Sequence, residues 1–141
     1  MTFSPRRVTD TYAVLGQLQP SDLAKAKQLG YQSIINNRPD DEEADQPKHE
    51  LLAQAAQDAG LKYLYLPVSG PISSSQIKTM QHALVSLPQP VLAFCRSGAR
   101  STRIWAHAQH GQQSMDDILQ AAEQAGCDVS ALHAELTATA S

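Results

Sequence analysis

The stretch PVLAFCRSGARSTRIWA, Pro90 to Ala106, reads as a buried strand, a tight loop and a helix in direct succession. Pro90 to Phe94 is short and almost wholly apolar, the pattern of a strand covered on both faces. Cys95 falls at its carboxyl end. From about Ser101 to His110 the residues take helical spacing, with Ile104 and Ala108 inward and Gly111 as the stop. The segment from Arg96 to Ser101 holds Gly98, two arginines and three small residues, neighbours that a cysteine merely ending a strand has no need of.

Outward from this stretch, strands and helices alternate. Upstream, TYAVL (Thr11 to Leu15) is a first strand with Gly16 as its turn, followed by a helix that opens at Pro20 or Ser21 and closes at Gly30. YQSIINN brings Ile34 and Ile35 into a second strand, which stops at Arg38-Pro39 because proline cannot continue a ladder. Pro47 to Gly60 is expected to be a helix with Leu51, Leu52, Ala55 and Ala59 on one stripe. LKYLYLPV is a third strand. The loop SGPISSSQ offers serine caps for a helix carrying Ile77, Met80, Leu84 and Leu87, which Pro88 ends. Downstream, SMDDILQAAEQAG is a helix capped by Ser114, and DVSALHAEL another, fraying at TATAS. The order implies the α/β class: a parallel central sheet of about four or five strands flanked by helices, in a single domain over residues 1–141. Such sheets collect ligands at the carboxyl ends of their strands.

Composition narrows the class. Apolar residues make up 42% and charged residues 18%, ordinary for a globular chain of 141 residues. A net charge of −3, with no lysine- or arginine-rich face, speaks against a nucleic-acid partner, so any anion chemistry must be local. No stretch is apolar enough for a signal peptide or a membrane span, and the expected location is cytoplasmic. Cys95 and Cys127 are the two cysteines, expected to be reduced there. Cys127 lacks an anion-binding surround, and a packing role is expected for it.

A glycine-containing loop between a buried strand and a helix N-terminus aims backbone N–H groups at one point and forms a nest for an anion, to which the helix dipole adds positive potential. Cys95 would lie at the base of that nest. The same field favours a thiolate over a thiol and makes it nucleophilic at neutral pH. Arg96, Ser97, Gly98, Ala99 and Ser101 would line the nest around a small anionic substrate, Gly98 permitting the torsions of a tight loop. Arg100 would hold two anion oxygens with its planar fork. Arg38 and Asp40, after the second strand, are candidates for the pocket rim. The run Asp40 to Asp45 is expected to be a solvated acidic loop, unless it folds over the pocket and supplies an acid. The histidines, His49, His82, His107, His110 and His133, have no metal-binding spacing, so no metal and no cofactor are expected.

On these residues the chain resembles known proteins. CRSGARS resembles the active-site loop of rhodanese-type sulfurtransferases, in which a cysteine is followed after four residues by arginine or lysine. YAVLGQLQPSDLAKAKQLGYQSIINNRPDDEE, YLYLPVSGPIS and PVLAFCRSGARSTRIWA together resemble the beta-lactamase-hydrolase-associated phosphatase-like family, over about residues 8–135. That resemblance implies a cysteine-phosphatase-like fold, similar to dual-specificity tyrosine phosphatases. Because some members are fused to metallo-beta-lactamase-fold enzymes of sulfide metabolism, it also implies a functional link to such an enzyme.

The choice of reaction turns on two features. Cysteine phosphatases usually place five residues between cysteine and arginine, whereas here four intervene and Ser101 takes the position of the phosphatase arginine. A shorter loop suggests a tighter nest, suited to sulfur rather than phosphoryl. Phosphate-ester cleavage also needs a proton for the leaving oxygen, commonly from an aspartate on a neighbouring loop, and PVSGPISSS has no carboxylate. The expected activity is therefore a rhodanese-like sulfurtransferase, with a persulfide formed on Cys95 and passed to an acceptor thiol or cyanide. A phosphatase of tyrosine or dual-specificity type forming a phosphocysteine on Cys95 is the second reading, and a non-catalytic anion-binding module the third.

Overall fold

The computed structural model describes residues 3–139. In chain order these form β1 (Arg6–Thr9), β2 (Tyr12–Leu15), α1 (Asp22–Gln28), β3 (Ser33–Asn36), α2 (His49–Asp58), β4 (Lys62–Tyr65), α3 (Ser74–Ser86), β5 (Val91–Phe94), α4 (Ala99–Gln109), α5 (Met115–Gln124) and α6 (Val129–Thr139). The sheet runs β1-β2-β5-β3-β4. β2, β5, β3 and β4 are parallel, as the alternation of strands and helices predicts. The fifth strand, β1, pairs antiparallel with β2 and was not legible as a strand, because Arg6 and Arg7 interrupt any apolar alternation. It closes the edge of an otherwise parallel sheet, a common arrangement.

β5 is central, and alternation along it divides the core. Val91 and Ala93 pack with Val14, Ile35, Ile104 and Trp105 on the face covered by α3 to α6. Leu92 and Phe94 pack with Ala13, Ile34, Leu23 and Leu52 on the face covered by α1 and α2. All four β5 residues are buried, as the apolar run PVLAF predicts.

Two local expectations need correction. On α2 the inward residues are Leu52 and Ala56, while Leu51 is 58% exposed, because at 100° per residue the neighbouring leucines cannot both face the sheet. α4 opens at Ala99, with Gly98 in the left-handed region at φ 98° as its cap, rather than at Ser101. Other caps follow the sequence: Ser73 and Gln76 form a reciprocal capping box on α3, and Ser114 accepts from the Asp117 amide on α5. α6 continues through Thr139, so that part of TATAS is helical, and Ala140 and Ser141 lie outside the described residues. Among the described residues no helix is long and apolar enough to cross a membrane.

Register places the site. Leu15, Phe94, Asn36 and Tyr65 are partners at the ends of the four parallel strands. Gly16, Cys95, Asn37 and Leu66 therefore emerge side by side, and the loops they begin form one rim.

Candidate active site

Cys95 is 1% exposed, and its amide donates to the Leu15 carbonyl at 3.4 Å, the last rung of the sheet. The loop then turns within three residues, so that the Gly98 amide donates to Cys95 Sγ at 3.0 Å. Sulfur thus meets a backbone N–H at the very start of α4, where the helix dipole is positive. This is the arrangement of an anion-binding nest.

The loop is held from behind by residues that sequence reasoning did not single out. Arg6 on β1 donates through Nη2 to the Ser97 carbonyl at 2.7 Å and through Nε to the Ala125 carbonyl at 2.8 Å, tying the loop to the end of α5. Holding that carbonyl fixes the same peptide unit whose amide, that of Gly98, donates to Cys95 Sγ. A Cβ on Gly98 would lie 2.4 Å from Arg6 Nη2, and one on Gly16 would lie 2.9 Å from the Arg96 carbonyl oxygen. Gly16 is therefore required by the close approach of backbone, whereas at Gly98 a Cβ would meet the end of the Arg6 side chain and the positive φ itself favours glycine.

Ser101 is fully buried, and its hydroxyl donates to Asn37 Oδ1 at 2.8 Å. Asn37 in turn donates to the Leu66 carbonyl at 2.9 Å, and the Tyr12 hydroxyl donates to the Ser101 carbonyl at 2.8 Å. The start of α4 is thereby fastened to the loops after β3 and β4. Burial pushes the Tyr12 phenol well above its ordinary value, with Cys95 adding to the rise. Ser97 and Ala99 remain at the surface of the turn, where the Ala99 amide donates to Ser97 Oγ at 3.4 Å.

Arg100 sits across the mouth of the site. It donates to both oxygens of Glu42, from Nη1 at 2.7 Å and from Nη2 at 2.8 Å, and from Nη1 to the Val68 carbonyl at 2.9 Å. Its pKa is raised, first by its hydrogen bonds to Glu42 and, against the opposing effect of burial, also by the nearby Cys95 sulfur. The guanidinium is therefore held by the Glu42 carboxylate and is near enough to Cys95 for the sulfur to favour its charged form. Glu42 is driven down to about 2, chiefly by its hydrogen bonds from Arg100 and also by those from Arg38, with burial opposing.

The acidic run after β3 is more than a solvated loop. Glu42 also accepts from Arg38 Nε at 2.9 Å, and Glu43 Oε1 lies 3.0 Å from Arg96 Nε and 3.2 Å from Arg38 Nη2. Arg38 is only 4% exposed and donates further to Gln17 Oε1 at 2.8 Å, whereas Arg96 points outward and its side chain is 70% exposed. Asp40 turns the other way: its Oδ1 accepts from the His49 amide at 2.8 Å, and its own amide donates to the Tyr65 hydroxyl at 3.0 Å, fixing the start of α2. Pairings between residues so distant in sequence leave no single-sequence signal beyond the charge run itself.

Cys127 lies apart, half-buried beside Asp128, and burial followed by that carboxylate pushes its thiol up. His107 is 5% exposed and its Nε2 lies 2.5 Å from Glu135 Oε2, a pairing inside the helical layer. Among the described residues no three histidine, cysteine or carboxylate side chains converge as metal ligands.

A family model described as beta-lactamase hydrolase-like protein, phosphatase-like domain, matches residues 4–112. A beta-lactamase hydrolase-like protein of Agrobacterium fabrum is 33% identical over 128 residues, which are 89% of this chain and 30% of that one. The chain thus spans less than a third of the length of that curated relative. A solved structure of a candidate phosphatase from Neisseria meningitidis superposes with a TM-score of 0.81 at 28% identity, covering 93% of this chain and 94% of that one. The structure of a kinase-associated phosphatase, at 16% identity and a TM-score of 0.65 over 78% of this chain and 72% of its own, shares the fold. The expectation of a rhodanese-type sulfurtransferase is overturned by these matches, which are phosphatase-like. The physical fault lies in the loop-size argument: with four intervening residues Arg100 already reaches the neighbourhood of the sulfur, so the spacing does not exclude a phosphoryl group.

Proposed function

Since the chain belongs to the family of beta-lactamase hydrolase-like protein, phosphatase-like domains, we propose that it is a cysteine-dependent phosphatase acting on phosphate monoesters. The observation that carries this reading is the Gly98 amide donating to Cys95 Sγ at 3.0 Å at the N-terminus of α4, with Arg100 alongside. A phosphate dianion placed over the sulfur meets the loop amides, the helix dipole and the arginine fork together. These groups stabilise charge on the equatorial oxygens as the phosphoryl group moves, which is the main requirement of phosphoryl transfer.

In the first step the Cys95 thiolate attacks phosphorus, the S–P bond forms, and the P–O bond to the leaving group breaks with its electron pair. Glu42, at about 2, is ionised at neutral pH and has no proton to give, and the loop from Leu66 to Ser73 contains no carboxylate. The leaving oxygen therefore takes its proton from water. In the second step water attacks the phosphocysteine, the S–P bond breaks, and inorganic phosphate departs with the thiolate restored. Arg100 orients the phosphate in both steps.

The reading is tested with 4-nitrophenyl phosphate, whose leaving group needs little protonation. Cys95→Ser should reduce turnover to background while the far-ultraviolet circular dichroism is unchanged, and rapid acid quench of the unsubstituted protein should yield a phosphorylated peptide containing Cys95. Turnover that survives Cys95→Ser would sink the proposal. The functional link to a metallo-beta-lactamase-fold enzyme, which the family resemblance implies, is part of the same proposal, and what supports it is the beta-lactamase hydrolase-like name of the Agrobacterium relative, most of whose length lies outside the matched region.

A further inference from the structure

Beside the nucleophile loop, on the side of β2 and α1, lies a pocket of about 580 Å³ whose walls include Arg6, Leu15, Gly16, Lys25, Arg38 and Arg96. It is separated from the sulfur by little more than the loop itself, because Leu15 receives the Cys95 amide and Gly16 packs against the Arg96 carbonyl. Four cationic side chains line it, against the carboxylates of Asp22 and Glu43. Lys25 Nζ stands 3.9 Å from Asp22, beyond hydrogen-bonding distance. Arg38 is 4% exposed, and its buried Nη2 has no hydrogen-bond partner among the described residues, although Glu43 Oε1 is only 3.2 Å away. A buried guanidinium nitrogen held by an ion pair at 3.2 Å but by no well-aligned hydrogen bond is incompletely satisfied, a deficit that an anion oxygen of better geometry relieves.

Glu43 marks where that oxygen would sit. A single carboxylate oxygen lies between Arg38 Nη2 and Arg96 Nε, at 3.2 and 3.0 Å. Its side chain is 42% exposed and so can be displaced, and a tetrahedral anion with several oxygens serves two guanidiniums better than one carboxylate oxygen does.

We infer that this pocket is a subsite for a second anionic group of the substrate, so that the protein selects phosphate monoesters carrying a further phosphate some distance from the reacting one. The inference rests on the phosphatase reading and adds a substrate class to it. Glu43 is then an internal stand-in that leaves when the second phosphate enters. Arg96, which faces away from the sulfur, acts in specificity.

The test uses the Cys95→Ser protein, which binds without turnover, and titration calorimetry with alkane bisphosphates of three to eight carbons against the corresponding alkyl monophosphates. At least one chain length should bind about tenfold more tightly than its monophosphate, the equivalent of one charge-assisted hydrogen-bonding contact. Arg96→Gln, an exposed substitution that leaves the core intact, should bring that bisphosphate down to the monophosphate level. Glu43→Gln should raise its advantage further. If monophosphates bind and the unsubstituted protein hydrolyses 4-nitrophenyl phosphate, yet every bisphosphate binds as its monophosphate does, or the advantage survives Arg96→Gln, this inference falls alone. If neither kind of phosphate binds, the phosphatase reading falls with it.

Discussion

Arg100 and Glu42, 58 residues apart in the chain, hold each other through two hydrogen bonds of 2.7 and 2.8 Å at the mouth of the Cys95 site. The arginine that should receive a phosphate is therefore already engaged by a carboxylate of its own chain. Substrate must share or displace that partner. Val68 retains Arg100 through its carbonyl when Glu42 is neutralised, so the arginine keeps an anchor. Glu42→Gln should accordingly lower KM for 4-nitrophenyl phosphate by about two- to fivefold, the worth of a partly exposed ion pair at up to ~1 kcal/mol, with kcat changed less. A rise in KM would mean that Glu42 positions the arginine rather than competing for it.

The same pair sets a pH dependence of stability. Glu42 falls from its ordinary 4.5 to about 2 in the folded chain, so folding favours its ionised form. The contribution is fully present above about 4.5 and is lost as pH falls through about 2. Urea denaturation should therefore show the unsubstituted protein more stable than Glu42→Gln at pH 6, with the difference shrinking toward zero near pH 2. A difference that does not change with pH would place the effect of the substitution in packing rather than in charge.

The nucleophile loop and its strand were legible because each is a local signal. VLAF is apolar without interruption, Cys95 follows it, and Gly98 with two arginines can be read within a single turn of chain. The four parallel strands were legible for the same reason. β1 was not, since its burial depends on pairing with β2 and its arginines carry the tether to Ser97 and Ala125 rather than a pattern. Glu42 and Glu43 looked like solvated charge because Arg38, Arg96 and Arg100 converge on them only after β3 and β5 lie side by side. The loop-length argument failed because spacing along the chain was taken as distance to the sulfur. The early start of α4 at Ala99 changes that relation.

Gly98 tests the geometry of the nest directly. Its φ of 98° disfavours any L side chain, and an added Cβ would meet Arg6 Nη2 at 2.4 Å, pushing away the group that holds the Ser97 carbonyl. Gly98→Ala should cost about 1–3 kcal/mol in urea denaturation and most of the phosphatase activity. Arg6→Gln should lose activity with a smaller effect on stability, since it removes the tether without straining the backbone. If Gly98→Ala were fully active, neither the left-handed torsion at this position nor the Arg6 tether would be needed to hold the nest.

On the phosphatase reading, the missing proton donor should determine which esters are cleaved well. With Glu42 ionised and no carboxylate from Leu66 to Ser73, the leaving oxygen must depart with little help, so the rate should fall steeply as the leaving group becomes more basic. Across a series of aryl phosphates, log kcat/KM should decline with leaving-group pKa, and alkyl phosphates should be the poorest substrates. Ser69 follows Val68, whose carbonyl receives Arg100, and it is exposed on the rim. Ser69→Asp adds a carboxyl to that rim, and the comparison is made at acidic pH, where an exposed aspartate keeps part of its proton. It should flatten that dependence and accelerate phenyl phosphate more than 4-nitrophenyl phosphate, within the ~10²–10⁴-fold that general acid catalysis supplies. A flat dependence in the unsubstituted protein would show that a proton is already being delivered, and the carboxyl group to suspect would then be Glu42 after its release from Arg100.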